Sequence, residues 1–348
     1  MEKARKLDSL RYFRRPSFEL QSRCPMNNDK GQMTNDICAI GIDVGGTKIA
    51  AGVVTRAGEL PFHRRLPTGA GRGGESVLRD VEALSLELIN RAEEAGMKVA
   101  GIGLCVAELV DLEGNVTSGH TIKWDGWPIR ERLSRIAPTV IESDVRAAAL
   151  AEAIYGAGRD YEIFLYLTVG TGVSCCLVMH KRPYAGAHGD ALICASSPLT
   201  STCAECGASN KVALEDYASG PALARRYQPY SPAYSPEKIS RAEEVIKAAQ
   251  SGDARAIEII QSAGDALGVT AGLLVNTLDP EAVVVGGGLG RADGLYWECF
   301  FRSAREHIWA EARRDLPIKH AELARNGVIG AAINFLSHGD RPDSIEHN

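Results

Sequence analysis

The sequence lacks the features that would place it in several large classes of protein. It has no excess of basic charge: 39 Lys and Arg stand against 44 Asp and Glu, a net charge of −5. A mildly acidic chain lacks the overall field expected of a nucleic-acid binder. It has no unbroken apolar run of about 18 residues, the length that a bilayer-spanning helix needs. Residues 1–36 carry Arg5, Lys6, Arg11, Arg14, Arg15 and Arg23 among Glu2, Asp8 and Glu19. With no apolar core of about 7–15 residues, they read as a poorly ordered extension and not as a secretory signal. No period of roughly 20–50 residues repeats. Neither standard phosphate motif occurs: there is no G-x-x-x-x-G-K-[ST], and no G-x-G-x-x-G leads into a helix. The nine cysteines are odd in number and follow no signal, so reduced thiols in a cytoplasmic protein are expected.

What is present suits a globular protein. A chain of 348 residues predicts about two domains. Hydrophobic residues at 45% and charged residues at 24% rule out disorder as a whole. Glycine is in surplus, with 36 residues, about a tenth of the chain against a usual ~7%. The positions of these glycines therefore carry information.

Ile37 to Val44 reads as a buried strand, followed by a Gly45-Gly46 turn and a second apolar run from Ile49 to Val54. Strand, glycine turn and strand predict a hairpin. Residues 75–96 have helical spacing, Val99 to Cys105 is strand-like, and Val140 to Glu142 feeds an Ala-rich helix over Val145 to Tyr155. A second hairpin is expected over Ile163 to Thr168 and Val173 to Met179, around Gly170-Thr171-Gly172. Residues 237–276 are helical in pattern, Ala282 to Val285 is a buried strand ending at Gly286-Gly287-Gly288, and a last helix begins near Gly327. Two α/β units, each opened by such a hairpin, imply two related lobes facing a cleft.

Three glycine turns thus follow hydrophobic strands: Asp43-Val44-Gly45-Gly46-Thr47-Lys48, Thr168-Val169-Gly170-Thr171-Gly172 and Gly286-Gly287-Gly288. A turn without Cβ atoms lets backbone N–H groups face phosphate oxygens, and threonine hydroxyls add donors. Any one of them alone is more simply a plain turn. Asp144, between a strand end and a helix start, is by itself most simply a helix N-cap.

Taken together, D-V-G-G-T-K, E-S-D-V-R-A-A-A-L-A-E, T-V-G-T-G-V, L-E-D-Y-A-S-G and V-V-V-G-G-G-L resemble the ROK family of sugar kinases and sugar-responsive repressors, over about residues 37–336. The resemblance implies an α/β, two-lobed, actin-like ATPase (ribonuclease H-like) fold. It implies a small lobe of residues 37–141 plus about 331–343, and a large lobe of 142–330. It implies ATP and Mg²⁺: Gly45, Gly46 and Thr47, with Lys48 nearby, at the outer phosphates; Thr168 and Gly170, Thr171 and Gly172 at the inner ones; Gly286, Gly287 and Gly288 beside the adenosine; and Asp43 on Mg²⁺ through water. Asp144 falls on the catalytic aspartate of the family pattern E-N-D-A-N. A homodimer is expected on the same ground.

The sequence departs from the family around the acceptor. The family's G-E-x-G-H and its three zinc cysteines, counted back from Leu214-Glu215, place Ile193 at the glutamate and Ser196 at the histidine. Only Cys206 keeps a cysteine position; the other two are Ala208 and Ala213. One cysteine and a serine cannot build a tetrahedral zinc site, so no structural zinc is expected, although Cys194, Cys203 and Cys206 are left to regroup. Ser143 replaces an asparagine, Cys105-Val106-Ala107-Glu108 replaces a P-G-P turn, and Glu215 is kept. Ser143, Asp144, Ser196 and Glu215, with His120 and His188 as replacement donors, are the acceptor candidates. Losing an acceptor at Ile193 suits a ring without an anomeric hydroxyl, such as a C7-cyclitol like 2-epi-5-epi-valiolone, more than glucose. A glucokinase or N-acetylhexosamine kinase is the alternative. A sugar-sensing regulator or non-catalytic binder is less favoured: residues 1–36 show no helix-turn-helix pattern, and a regulator needs no phosphate clamps.

Overall fold

The computed structural model describes residues 37–228 and 241–338. The expected extension lies outside them. The first half contains β1 (Ile37–Val44), β2 (Lys48–Thr55), β3 (Phe62–Pro67), α1 (Gly74–Glu94), β4 (Lys98–Val106), α2 (Ile129–Ser134), β5 (Thr139–Ser143) and α3 (Asp144–Tyr155). The second contains β6 (Ile163–Val169), β7 (Val173–Met179), β8 (Arg182–Pro183), β9 (Pro198–Thr202), β10 (Ser209–Ala213), α4 (Leu214–Ala218), α5 (Gly220–Tyr227), α6 (Ala242–Gln250), α7 (Ala254–Leu278), β11 (Ala282–Gly286), α8 (Leu295–His307), β12 (Ile318–His320) and α9 (Asn326–His338).

Two five-stranded sheets carry these elements, with strand orders β3-β2-β1-β4-β5 and β8-β7-β6-β11-β12. In the first, β1–β2 and β2–β3 are antiparallel while β1–β4 and β4–β5 are parallel. In the second, β6–β7 and β7–β8 are antiparallel while β6–β11 and β11–β12 are parallel. The connectivity is the same in both. Each tight hairpin exists because a glycine turn lets the chain reverse at once, and each parallel pair needs a longer crossover.

The central strands are apolar along their length because helices cover both faces. On one side of the first sheet, Ile40, Ile42, Leu104 and Ile102 pack with Val77, Leu78, Val81 and Leu88 of α1. On the other, Ala39 and Val54 meet Val328, Ala332 and Leu336 of α9. In the second sheet, Leu165, Val283 and Val285 face α7 and α8, whereas Phe164, Tyr166, Cys176 and Val284 face Ala148, Ala149 and Ala153 of α3. Each fully buried Ile, Leu or Phe contributes about 1.5–3 kcal/mol. Helices α3 and α9 cross at small residues, since a Cβ on Gly330 would occupy the place of the Ala147 carbonyl, and α9 lies as close on β4, where a Cβ on Gly103 would occupy the place of the Ala331 carbonyl.

One expectation is corrected here. The helix expected over 237–276 is two helices, α6 and α7, broken at Ser251-Gly252-Asp253. Gly252 has φ +87°, and the Asp253 carboxylate accepts from Arg255 N and Ala256 N, so a left-handed stop and an N-cap interrupt an otherwise continuous periodicity. Residues 237–240 of that stretch lie outside the described residues.

Candidate active site

Asp43 stands at the end of β1, paired in register with Ala50 on β2 and Cys105 on β4. Behind its carboxylate lies Gly327, where a Cβ would come within 2.6 Å of Asp43 Oδ2. Burial raises the Asp43 pKa, against the opposing pull of Lys48 and of a hydrogen bond from the Cys105 thiol. Cys105 is itself buried, and burial followed by the charges of Asp43 and Asp144 pushes its thiol well above the ordinary value. It therefore stays protonated and donates, reaching Gly327 O at 3.5 Å.

Asp144 is the first residue of α3. The N-cap is not Asp144 but Ser143, whose hydroxyl accepts from Arg146 N at 3.4 Å. Asp144 Oδ1 accepts from Val145 N at 2.7 Å. Its pKa is raised to about 7, first by burial and then by the negative charge of Asp43, with a smaller contribution from Glu108. Two carboxyl groups from different elements therefore meet at the end of the first sheet, the pattern by which one acid is tuned towards neutrality.

Glu108 is the residue that the sequence least advertises. It is 7% exposed. Its carboxylate accepts from the Ser118 hydroxyl and from three successive backbone N–H groups: His120 at 3.0 Å, Thr121 at 2.6 Å and Ile122 at 2.7 Å. Burial would raise its pKa, but these four bonds outweigh it and hold the carboxyl below the ordinary glutamate value. The loop so held packs on the first glycine turn, since a Cβ at Gly46 would lie 2.7 Å from Thr121 Cγ2. The turn is closed by Gly45 N donating to Lys48 O at 3.0 Å and strapped by Thr68, whose hydroxyl donates to Gly45 O and whose N–H donates to Thr47 O. The His120 ring is exposed, and what the loop uses is its backbone.

The second and third glycine turns abut. Leu289 N and Gly290 N both donate to Val169 O, and a Cβ at Gly170 would lie 3.7 Å from Gly288 N. A Cβ at Gly288 would meet nothing within 4 Å, and neither residue has a positive φ. Packing within the chain does not demand glycine at either position. The Gly170 N–H closes its own turn on Gly172 O at 2.9 Å, and the absence of side chains at both glycines lets a ligand approach the backbone here, which is where the site fits a nucleotide phosphate chain. Asp43, half-buried and with its charge partly offset by Lys48, likewise fits a hydrated divalent cation. Thr168 bonds the Tyr166 hydroxyl, which accepts from Asn326 Nδ2 at 2.9 Å. The same Asn326 Nδ2 reaches buried Glu152, whose carboxylate also accepts from Ala157 N, Glu322 N and Leu323 N. Glu152 thus anchors the irregular segment that leads from β12 into α9 and so fixes Gly327 against Asp43.

The acceptor candidates are less gathered. Glu215 turns its carboxylate to Val173 N at 3.0 Å, beside Gly172, and its own N–H donates to Ala195 O. It braces the second glycine turn against the 193–196 segment. Ile193 is 37% exposed and Ser196 is exposed; so is His188. Arg146 was missed as a site residue, although its spacing from Glu142 was readable as a pair four apart at a helix start. It is 6% exposed, bonds Glu142 Oε1 at 2.6 Å and Val110 O at 2.7 Å, and donates to Gly189 O, so it ties the loop after β4 to the segment carrying His188. Among the described residues no group of three or more His, Cys, Asp or Glu is placed to hold a metal, and Cys203 and Cys206 are exposed.

The two matching sheets with a carboxylate pair and bare glycine turns between them are the actin-like ATPase fold seen in ROK sugar kinase structures. The ROK family model matches residues 39–337, and the chain belongs to the ROK family. It is 27% identical to the glucokinase of Halalkalibacterium halodurans over 286 residues, 78% of this chain and 86% of that protein. It is 29% identical to the N-acetyl-D-glucosamine kinase of Haemophilus influenzae, over 85% of this chain and 99% of that protein. Among solved structures, the ROK family glucokinase from Streptomyces griseus in complex with glucose and AMPPNP superposes with a TM-score of 0.72 at 27% identity, covering 85% of this chain and 98% of that one. Among the described residues no helix is long and apolar enough to cross a membrane.

Proposed function

We propose that the protein is an ATP-dependent kinase that phosphorylates the exocyclic primary hydroxyl of a hexose-like ring. The observation that carries this reading is the Asp144 carboxyl, raised to about 7 beside Asp43 at the head of the first glycine turn. With Oδ1 held by Val145 N–H, the second oxygen orients the acceptor hydroxyl and takes its proton as the oxygen attacks the terminal phosphorus. The bond to the bridging oxygen breaks and ADP leaves. Backbone donors at Gly46 and Gly172, in turns closed by the Gly45 and Gly170 N–H groups, hold the phosphates in line, and Gly286 to Gly288 border the adenosine. Asp43 holds hydrated Mg²⁺, which when bound offsets charge on the phosphate oxygens. Closure of a small lobe of residues 37–141 plus about 331–343 on a large lobe of 142–330 keeps water from the terminal phosphate.

The acceptor we favour is a C7-cyclitol of the valiolone type. An apolar Ile193 and an exposed Ser196 offer no carboxylate or imidazole to ring hydroxyls, and Glu215 is committed to Val173 N. The similarity to a glucokinase and to an N-acetyl-D-glucosamine kinase supports the alternative, hexose or N-acetylhexosamine phosphorylation, to a comparable degree. An ADP-release assay over glucose, mannose, N-acetylglucosamine, N-acetylmannosamine and 2-epi-5-epi-valiolone separates the two. The cyclitol reading predicts the highest kcat/KM on the cyclitol; a preference for a hexose sinks that part, and no turnover on any of them sinks the kinase.

A further inference from the structure

Two thiols lie together outside the machinery described above. Cys175, on β7, is 4% exposed, and its side chain enters the core on the α7 side of the second sheet. Cys194 is partly exposed and sits in the segment between β8 and β9. Their sulfurs are 3.2 Å apart. The backbone holds them there: Cys175 Sγ donates to Leu192 O at 3.3 Å, and Cys194 N donates to the same carbonyl at 2.8 Å. Leu192 adopts φ +62°, a left-handed conformation uncommon for a branched residue, so the segment is bent to bring Cys194 inward. A small apolar cavity bounded by Leu167, Val173, Ala195 and Leu274 lies against both sulfurs and leaves them room to approach. Forming a disulfide requires a further closure of about 1.2 Å, to a bond of about 2.05 Å.

We propose that Cys175 and Cys194 form a site of reversible oxidation, closed to a disulfide by a hydroperoxide. Cys194, the more exposed thiol, is the first to react. Its thiolate attacks one peroxide oxygen, the O–O bond breaks, hydroxide departs, and Cys194 becomes a sulfenic acid. Cys175 Sγ then attacks the Cys194 sulfur. The S–O bond breaks, and the Cys175 proton leaves with the oxygen as water. Two thiols lose two electrons and the peroxide is reduced to two waters. The hydrogen-bonding contact with Cys175 holds the Cys194 pKa below the ordinary thiol value, which favours the thiolate. Cys176 is not a competitor for this partner, because strand alternation turns it to the opposite face, among Phe164, Tyr166 and α3.

The bond would tie the 193–196 segment to β7 just after the second glycine turn. On the kinase reading, and resting on it, this restricts Ile193 and Ser196 and raises the acceptor KM several-fold. The test is a hydrogen peroxide titration of the reduced full-length protein, followed by peptide mass mapping. The expected product is a Cys175–Cys194 linked peptide pair, lighter by two hydrogens, in the native chain and in Cys176→Ser. It is absent in Cys194→Ser and Cys175→Ala, and dithiothreitol restores both thiols. An oxidised native chain whose Cys203 and Cys206 have reacted while Cys175 and Cys194 stay unlinked overturns the proposal. If the kinase reading fails instead, the link still forms but there is no turnover for it to alter.

Discussion

Asp144 shows how much a single side chain depends on what surrounds it. A carboxyl on a strand-to-helix corner in water would ionise near 3.8 and be a poor proton acceptor at neutral pH; burial beside Asp43 moves it to about 7. A base works only when deprotonated, so kcat/KM for the acceptor should rise with pH on a single-proton curve, half-maximal near 7, and level above it. A profile that is flat through that region speaks against Asp144 as the base. Glu108 acts at one remove. Its replacement by alanine strands the Ser118 hydroxyl and three backbone N–H groups, each costing about 1–3 kcal/mol where water cannot reach it. Glu108→Ala should lower the Tm and raise the acceptor KM, because the loop from 118 to 122 no longer rests on Gly46; unchanged thermal melting and kinetics would show that the latch is idle. Asp43 and Asp144 are singled out because the motifs around them resemble those of the ROK family; by itself Asp144 reads as a helix N-cap, a place that Ser143 takes. Glu108 is not, because its partners lie 10 to 14 residues away with no local spacing to signal them; for Arg146 only the pair with Glu142 is readable, and its bonds to Val110 O and Gly189 O, 36 and 43 residues away, are not.

At the scale of the element, the strands and hairpins were readable and the helix breaks were less so. Both glycine hairpins follow the sequence pattern closely: Ile37–Val44 is strand as expected, and Val173–Met179 matches residue for residue. Buried central strands announce themselves as unbroken apolar runs, because helices cover both faces. The edge strand β3 and the separate two-stranded β9–β10 hairpin carry no such run, and no pattern in the chain announces them. The α6–α7 boundary was lost because one left-handed glycine does not disturb a periodicity summed over the whole stretch. The turns themselves allow a clean separation of folding from binding. Gly288→Ala places a methyl where no protein atom lies within 4 Å, on a backbone that accepts it. The Tm should hold while the KM for ATP rises; a loss of stability with unaltered nucleotide affinity would assign Gly288 to packing.

At the scale of the molecule, the two sheets repeat one connectivity, hairpin first and parallel crossover after, and α3 and α9 cross between them. That crossing explains why the chemistry lies where it does. Helix α3 begins with Asp144 and rests on the second sheet, while α9 begins beside Gly327 and rests on the first, behind Asp43. Glu152 and Asn326 join the two, so the helices that carry Asp144 and back Asp43 are linked by the same partly buried contact. The repetition of hairpins made the two-lobed plan legible in the sequence, but this cross-bracing was not, since its bonds link residues 170 to 174 apart. The account as a whole stands on Asp144 moving a proton within that frame. The most direct measurement compares Asp144→Asn with the native protein for steady-state turnover and for equilibrium binding of a non-hydrolysable ATP analogue. The predicted result is turnover reduced by about 10²–10⁴ with nucleotide affinity kept; turnover within a few-fold of native, at intact binding, would contradict it.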